Sequence, residues 1–277
     1  MAGRRRGRKS SGLLFKALAA GVLFSAVYVL WLPDVAPLKH SNPKTTSYIE
    51  LRREAARRAG KKFTARLVWV PWDRISEHLK HAVFIAEDDN FYRHKGVDWD
   101  SVRAALQRDW EMKRLAYGGS TITQQVARNL YLSPSKNPLR KLKELLIAKR
   151  LEAELSKRRI FEIYLNIAEW GKGIYGAEAA AEAYFGKSAA ELTPDEAVAM
   201  AVVLPNPRRW NPAQRGRYVE RNTRRVMGRM RASGLLPEEA ADISPEDIRI
   251  DTTAVMPVTA VVSAPTAEPG GPEAARP

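Results

Sequence analysis

Between Pro33 and about residue 245, apolar residues recur at steps of three and four. This period places them along one side of a helix, so the chain reads as a succession of amphipathic helices. Ile75, Leu79, Val83 and Ala86 form one stripe that runs directly into the polar segment EDDNFYRHKG, residues 87–96. Trp99, Val102, Leu106 and Trp110 predict a second helix, with Asp98 as its N-cap. Thr121-Ile-Thr-Gln124 resembles a capping box, opening a helix whose Ile122, Val126 and Leu130 face inward. Leu139, Leu142, Leu146 and Leu155 mark a longer helix, and Ile160, Ile163, Tyr164 and Ile167 the next. In TPDEAVAMAVVLP, residues 193–205, Thr193 is the cap, Pro194 the first helical residue and Glu196 the closing member of the box. Tyr218, Val226 and Met230 outline a last helix stopped near Gly234. Only RLVWVP, residues 66–71, reads as extended, and no internal repeat is visible. The expected body is a mainly α-helical globule.

Both ends depart from this pattern. GLLFKALAAGVLFSAVYVLWL, residues 12–32, is apolar except for Lys16 and reaches roughly 30 Å as a helix, the thickness of a bilayer's hydrocarbon core. A cleavable secretion signal has a shorter core ending in a small-x-small site, which WLPDVAP does not supply, so an uncleaved transmembrane anchor is expected. Arg4, Arg5, Arg6, Arg8 and Lys9 in the basic segment 1–11 keep the N-terminus cytoplasmic, so residues 33–245 form a domain on the far side of the cytoplasmic (inner) membrane. Residues 246–277, rich in Pro, Ala, Thr and Gly, have too few bulky apolar groups for a core and read as a disordered tail.

The net charge of +15, from 46 basic and 31 acidic residues, calls for an acidic partner: nucleic acid, an anionic bilayer or a phosphate-bearing substrate. The predicted topology argues against nucleic acid. The absence of cysteine excludes disulfides and thiolate chemistry and leaves the redox compartment open.

Three stretches carry candidate chemistry. Glu87 stands where an apolar helix meets a polar loop, a place where burial and the charges of Asp88 and Asp89 raise a carboxylate pKa toward proton transfer; a solvated acidic helix end is the plain alternative. YGGSTITQQVARNLYL, residues 117–132, combines a Gly-Gly turn, the hydroxyls of Ser120 and Thr121 and the amides of Gln124 and Gln125, suited to sugar hydroxyls and phosphate oxygens, though an ordinary capped helix would look the same. Arg140 and Lys141 precede Glu144 by four and three residues on one helix face, either a surface ion pair or a second carboxylate beside two cations. Arg128 and Lys136 add to the positive field.

EDDNFYRHKG, GGSTITQQVARNLYL, RKLKE, KRRIFEIYLN and AAEAYFGK, in that order across residues 65–235, closely resemble the five motifs of the peptidoglycan glycosyltransferase family. AEWGKGIYG, 168–176, and LPNPRRWNP, 204–212, resemble its monofunctional members. The resemblance implies a lysozyme-like helical fold and polymerisation of lipid II into glycan strands at the membrane. It implies Glu87 as the base and Glu144 as a second glutamate that assists the leaving group, orients a cation or shapes the site. It places Ser120, Thr121, Gln124, Gln125, Arg128, Asn129, Arg140 and Lys141 along the donor cleft, with Asp88, Phe91, His94 and Gly96 as framework for Glu87. Glu162, Asn166 and Gly186 are expected to be structural. Expected partners are lipid II, the growing glycan, the bilayer and cell-wall synthesis or division proteins. No ligand cluster demands a cofactor, although a divalent cation (Mg or Mn) assists some members.

Three rivals remain at this point. A lysozyme-like hydrolase would use a similar fold and a glutamate acid but needs no pyrophosphate site. A transpeptidase is suggested by Ser133-x-x-Lys136, with no later Ser-Asp-Asn or Lys-Thr-Gly motif. A membrane-tethered basic scaffold would bind anionic lipid without turnover.

Overall fold

The computed structural model describes residues 7–112, 119–135, 137–214 and 216–236; within the helices, the side chains of 7–14, 106 and 108–112 fall outside the description. The segment 1–6, Gly118, Lys136 and the tail 246–277 therefore lie outside the described residues. The helices are α1 (Gly7–Leu30), α2 (Ser47–Arg58), α3 (Glu77–Glu87), α4 (Trp99–Met112), α5 (Ile122–Tyr131), α6 (Pro138–Glu154), α7 (Lys157–Ile167), α8 (Ala177–Phe185), α9 (Pro194–Val203) and α10 (Arg217–Ala232).

Start signals act locally. The side-chain oxygens of Thr46, Ser76, Asn137, Ser156 and Thr193 each accept a backbone N–H in the first turn of the following helix, satisfying donors that have no intrahelical partner. Thr193 and Glu196 complete the expected capping box. Asp98 caps α4 as expected, its Oδ1 accepting from the N–H of Asp100 and Ser101. Trp99 is 62% exposed, so the α4 stripe does not turn that indole inward.

The core is built around α9, in which every residue from Ala197 to Val203 is buried. A helix apolar on all sides has no solvent face to preserve, and α3 and α10 pack against it. On the other side of the body, α5 packs on α6 and α7, with Val126, Ile147, Leu151, Ile160 and Ile163 fully enclosed. The leucine stripe expected to bury α6 is only partly inside. Leu142 is 47% exposed and Leu139 is exposed as well, whereas Arg140, Glu144, Ile147, Ala148 and Leu151 turn inward. Paired charges displace the leucines from the inner face because Arg140 and Glu144, four residues apart, satisfy each other there.

Outer contacts of α6 are to α1, where the Lys143 ammonium lies 4.4 Å from the centre of the Tyr28 ring. Among the described residues no helix is long and apolar enough to cross a membrane. The side chains described for α1 begin at Phe15, and sixteen residues to Leu30 make about 24 Å of helix.

A small sheet closes one edge, in the order β1 (Arg66–Leu67), β3 (Ile174–Tyr175), β2 (Glu169–Gly171). β1 runs parallel to β3, with Arg66 opposite Ile174, and β2 runs antiparallel to it. The extended reading at 66–71 thus holds for its first two residues, while β2 and β3, five residues between them, are too short to leave a periodic signal. Asn166, fully buried, grips the Val70 backbone from both sides: its Oδ1 accepts from the Val70 N–H at 2.8 Å and its Nδ2 donates to the Val70 carbonyl at 2.9 Å. Glu162 pairs with Arg159 at 3.3 Å, and Gly186 caps α8 in the left-handed conformation, so these positions are structural as expected.

Gly176 joins β3 to α8 at φ +85°, and an added Cβ would sit 2.7 Å from the Asn166 carbonyl oxygen. Gly176→Ala should therefore destabilise the domain by about 3 kcal/mol or more through backbone strain and collision, read as a lowered Tm of the detergent-solubilised chain.

Candidate active site

The loop leaving α3 is fastened by Asp88. Its carboxylate pairs with His94 Nε2 at 3.0 Å and accepts the backbone N–H of Ile122, at the start of α5, at 2.9 Å. The Gly96 N–H donates to His94 Nδ1 at 3.2 Å, which makes Nδ1 the acceptor nitrogen and leaves Nε2 to donate to Asp88. Gly96, at φ +89°, aims its carbonyl back at α5, where it accepts from Thr121 Oγ1 at 2.7 Å and Gln124 Nε2 at 3.3 Å. Phe91 is fully buried under the loop, 5.4 Å from the Phe161 ring, with Lys157 4.3 Å above its face. Asp88, Phe91, His94 and Gly96 form a single bracket that presents Glu87.

Glu87 ends α3 with part of its surface open, while the protein around its carboxyl pushes its pKa up. Desolvation is the main cause, Asp88 adds to it, and the Gln125 hydrogen bond and the Arg128 charge oppose it. Gln125 Nε2 donates to Glu87 Oε2 at 2.8 Å. A recess of about 350 Å³ adjoins Glu87 between α3, α9 and α10, with Ala201, Tyr218, Asn222, Arg225 and Arg229 in its walls. Arg229 also ties α10 to the end of α3 through the Ile85 carbonyl (2.8 Å) and Asp89 (2.7 Å).

The second cluster lies along α5 and α6. Glu144 has no exposed surface, and its two oxygens are taken by Arg140 and Lys141. Lys141 also donates to Gln124 Oε1 at 2.8 Å and Ser120 Oγ at 3.2 Å. Glu144 thus pairs with two cations at once. The Nε atoms of Arg128 and Arg140 are buried without a hydrogen bond among the described residues.

These placements divide the residues expected along the cleft. Ser120, Gln125, Arg128, Asn129 and Lys141 retain exposure, and Arg140 is held against Glu144. Thr121 and Gln124, 2% and 1% exposed, are buried beside them. Thr121 caps α5 by accepting from the Gln124 N–H at 3.2 Å, but the Gln124 side chain bonds Gly96 and Lys141 and does not complete the capping box. Its two ends join the first motif to the third.

Two tyrosines escaped the sequence reading. Tyr164 reaches Gln125 from α7, its hydroxyl donating to Oε1 at 3.2 Å. Tyr48 on α2 lies within the field of Arg128 and Arg140; burial raises its pKa and these two cations oppose the rise. Helical spacing makes Tyr164 a core residue, and nothing local to α2 marks Tyr48. Among the described residues no group of three or more His, Asp or Glu is placed to hold a metal ion.

The transglycosylase family model matches residues 55–231. Curated relatives agree. The chain is 47% identical to a biosynthetic peptidoglycan transglycosylase of Aromatoleum aromaticum over 216 residues, 78% of this chain and 94% of that one. It is 44% identical to the enzyme of that name from an Azoarcus species over 218 residues, again 78% and 94%. For that from Thiobacillus denitrificans the identity is 45% over 204 residues, 73% of this chain and 88% of the relative. The chain belongs to the transglycosylase family. It is a peptidoglycan glycosyltransferase of cell-wall synthesis.

The two glutamates should respond oppositely to neutralisation. Glu87 has a raised pKa in the folded state, so the fold binds its proton more tightly than the unfolded chain does and loses stability as pH rises from the unfolded toward the folded pKa. Glu87→Gln should raise Tm at pH 8 and leave it nearly unchanged at pH 4. Glu144→Gln leaves Arg140 buried without its counter-charge and should cost about 3–5 kcal/mol, seen as a lower Tm at pH 8.

Proposed function

We propose that the chain polymerises lipid II, with Glu87 as the general base. The observation that carries this reading is the placement of Glu87: a carboxylate with a raised pKa, partly open at a helix end, with the Arg128 charge acting on it, and bonded to Gln125 of α5, the helix whose Gln124 meets Lys141 of the Arg140–Lys141–Glu144 cluster. Glu87 takes the proton from the 4-hydroxyl of the acceptor N-acetylglucosamine as that oxygen bonds to the anomeric carbon of the donor N-acetylmuramic acid. The bond from that carbon to the pyrophosphate oxygen breaks, the centre inverts, and undecaprenyl pyrophosphate leaves with the bonding pair. Charge grows on the departing pyrophosphate, so pre-aimed donors contribute most there. Arg128, Arg140 and Lys141 are assigned that task, with Ser120, Gln125 and Asn129 toward the sugars. Glu144 keeps two of the cations in position.

The same reading makes residues 12–32 a single-pass anchor with the catalytic domain on the extracytoplasmic face. Its support is the apolar surface that α1 leaves uncovered, including Phe15, Leu18, Val22, Phe24 and Leu30, and the basic residues before it. The domain boundaries at 33 and 245, a lysozyme-related fold and contact with cell-wall synthesis or division proteins belong to this proposal too. A Mg or Mn ion, where it assists, would arrive with the pyrophosphate.

Detergent-solubilised chain incubated with labelled lipid II should give a ladder of glycan polymers, and Glu87→Gln should lower turnover by about a thousandfold or more while lipid II binding persists. Retained turnover in that variant would remove Glu87 as the base. Monomeric lipid II together with cleavage of finished peptidoglycan would move the assignment to hydrolysis.

A further inference from the structure

Tyr164 lies in the buried face of α7, yet its phenol is not an idle core group. Its hydroxyl donates to Gln125 Oε1 at 3.2 Å, and Gln125 Nε2 donates to Glu87 Oε2 at 2.8 Å. The two ends of a glutamine amide act oppositely on a carboxyl group: an N–H stabilises the carboxylate, whereas the carbonyl oxygen stabilises the protonated acid. A glutamine free to turn would therefore follow the protonation of Glu87. The phenol removes that freedom. Burial raises the Tyr164 pKa well above that of a free phenol, so the hydroxyl keeps its proton and donates, and Gln125 Oε1 is the acceptor it reaches.

We infer that Tyr164 is a positioning residue for the reaction: by holding Gln125 Oε1 it fixes the amide with Nε2 toward Glu87, and so keeps the base in its carboxylate form inside an enclosed site. The inference rests on the proposed role of Glu87 as the base. Other groups around Glu87 are untouched by loss of one phenolic oxygen. They are Asp88 beside it, Arg128 on α5, and Tyr218, Arg225 and Arg229 on α10, while α9 contributes the apolar Ala201 and Val202. Arg229 is engaged by Asp89 and the Ile85 carbonyl, and Asp88 by His94 and the Ile122 N–H.

The test is the pH dependence of kcat/KM for lipid II polymerisation by the full-length chain in detergent. Removing the phenol stabilises the carboxylate less, so the Glu87 pKa rises and the acid limb moves to higher pH. Tyr164→Phe should shift that limb upward by about one unit, roughly a tenfold loss on the acid side, and stay within about twofold of the parent on the alkaline plateau. Gln125→Met should shift the limb in the same direction, and Tyr164→Phe added to it should produce no further shift. An equal loss at every pH, or a Tyr164→Phe shift that persists in the Gln125→Met background, would overturn the inference. If Tyr164→Phe does not fold, Gln125→Met decides, and an unmoved limb there overturns it. Glu87→Gln separates the two levels: turnover in that variant defeats the base assignment and this inference with it. An inactive Glu87→Gln beside an unmoved limb in Tyr164→Phe defeats this inference alone.

Discussion

Everything in the candidate site depends on where the Asp88 carboxylate is anchored. It is a buried charge, and a buried charge persists only when its hydrogen-bonding capacity is used. Here it is used across two pieces of chain: its own loop, through His94 and beyond it the Gly96 backbone, and the first turn of α5 through the Ile122 N–H. Gly96 returns the connection by accepting from Thr121 and Gln124. The end of α3, which carries Glu87, and the start of α5, which carries the polar wall, are thus locked by one closed circuit of hydrogen bonds. Side chains mounted on two helix ends acquire the precision of side chains on one.

Within that frame the two glutamates are handled in opposite ways. Glu144 is given two cations and no solvent, an arrangement that fixes the cations. Glu87 is given one neutral donor and a raised pKa, the setting that suits the proton transfer proposed for it. Residues of one chemical type diverge in role because their surroundings diverge. Arg128, with influence on both Glu87 and the phenol of Tyr48, links the two regions electrostatically.

Much of this was legible in the chain. Helices with strong caps and regular stripes, such as α3, α7 and α9, appear where the spacing puts them, because burial of a stripe and satisfaction of the first-turn donors are local demands. The residues around Glu87 and Glu144 were read instead from their near neighbours in sequence and from the family's motifs. What escaped depends on contacts between distant segments. The exposure of Leu139 and Leu142 follows from the pairing of Arg140 with Glu144 on the inner face, a choice that hydrophobic spacing alone ranks the other way. Gln124 looked like half of a capping box because the box is a local pattern, whereas its real partners, Gly96 and Lys141, are 28 and 17 residues away. Tyr164 is indistinguishable from a core aromatic until Gln125 is placed beside it.

α6 has one further consequence. One side of this helix buries Glu144 and steers the cations, and the other leaves Leu139 and Leu142 uncovered and meets α1. With α1 as the proposed anchor and Arg140 and Lys141 as the proposed pyrophosphate grip, the helix is a spacer whose own thickness, about 10 Å, separates the two. Under that proposal reach is a property of the scaffold: a polyprenyl carrier whose head group sits nearer to or farther from its tail than that span would dock with its reacting carbon out of register with Glu87.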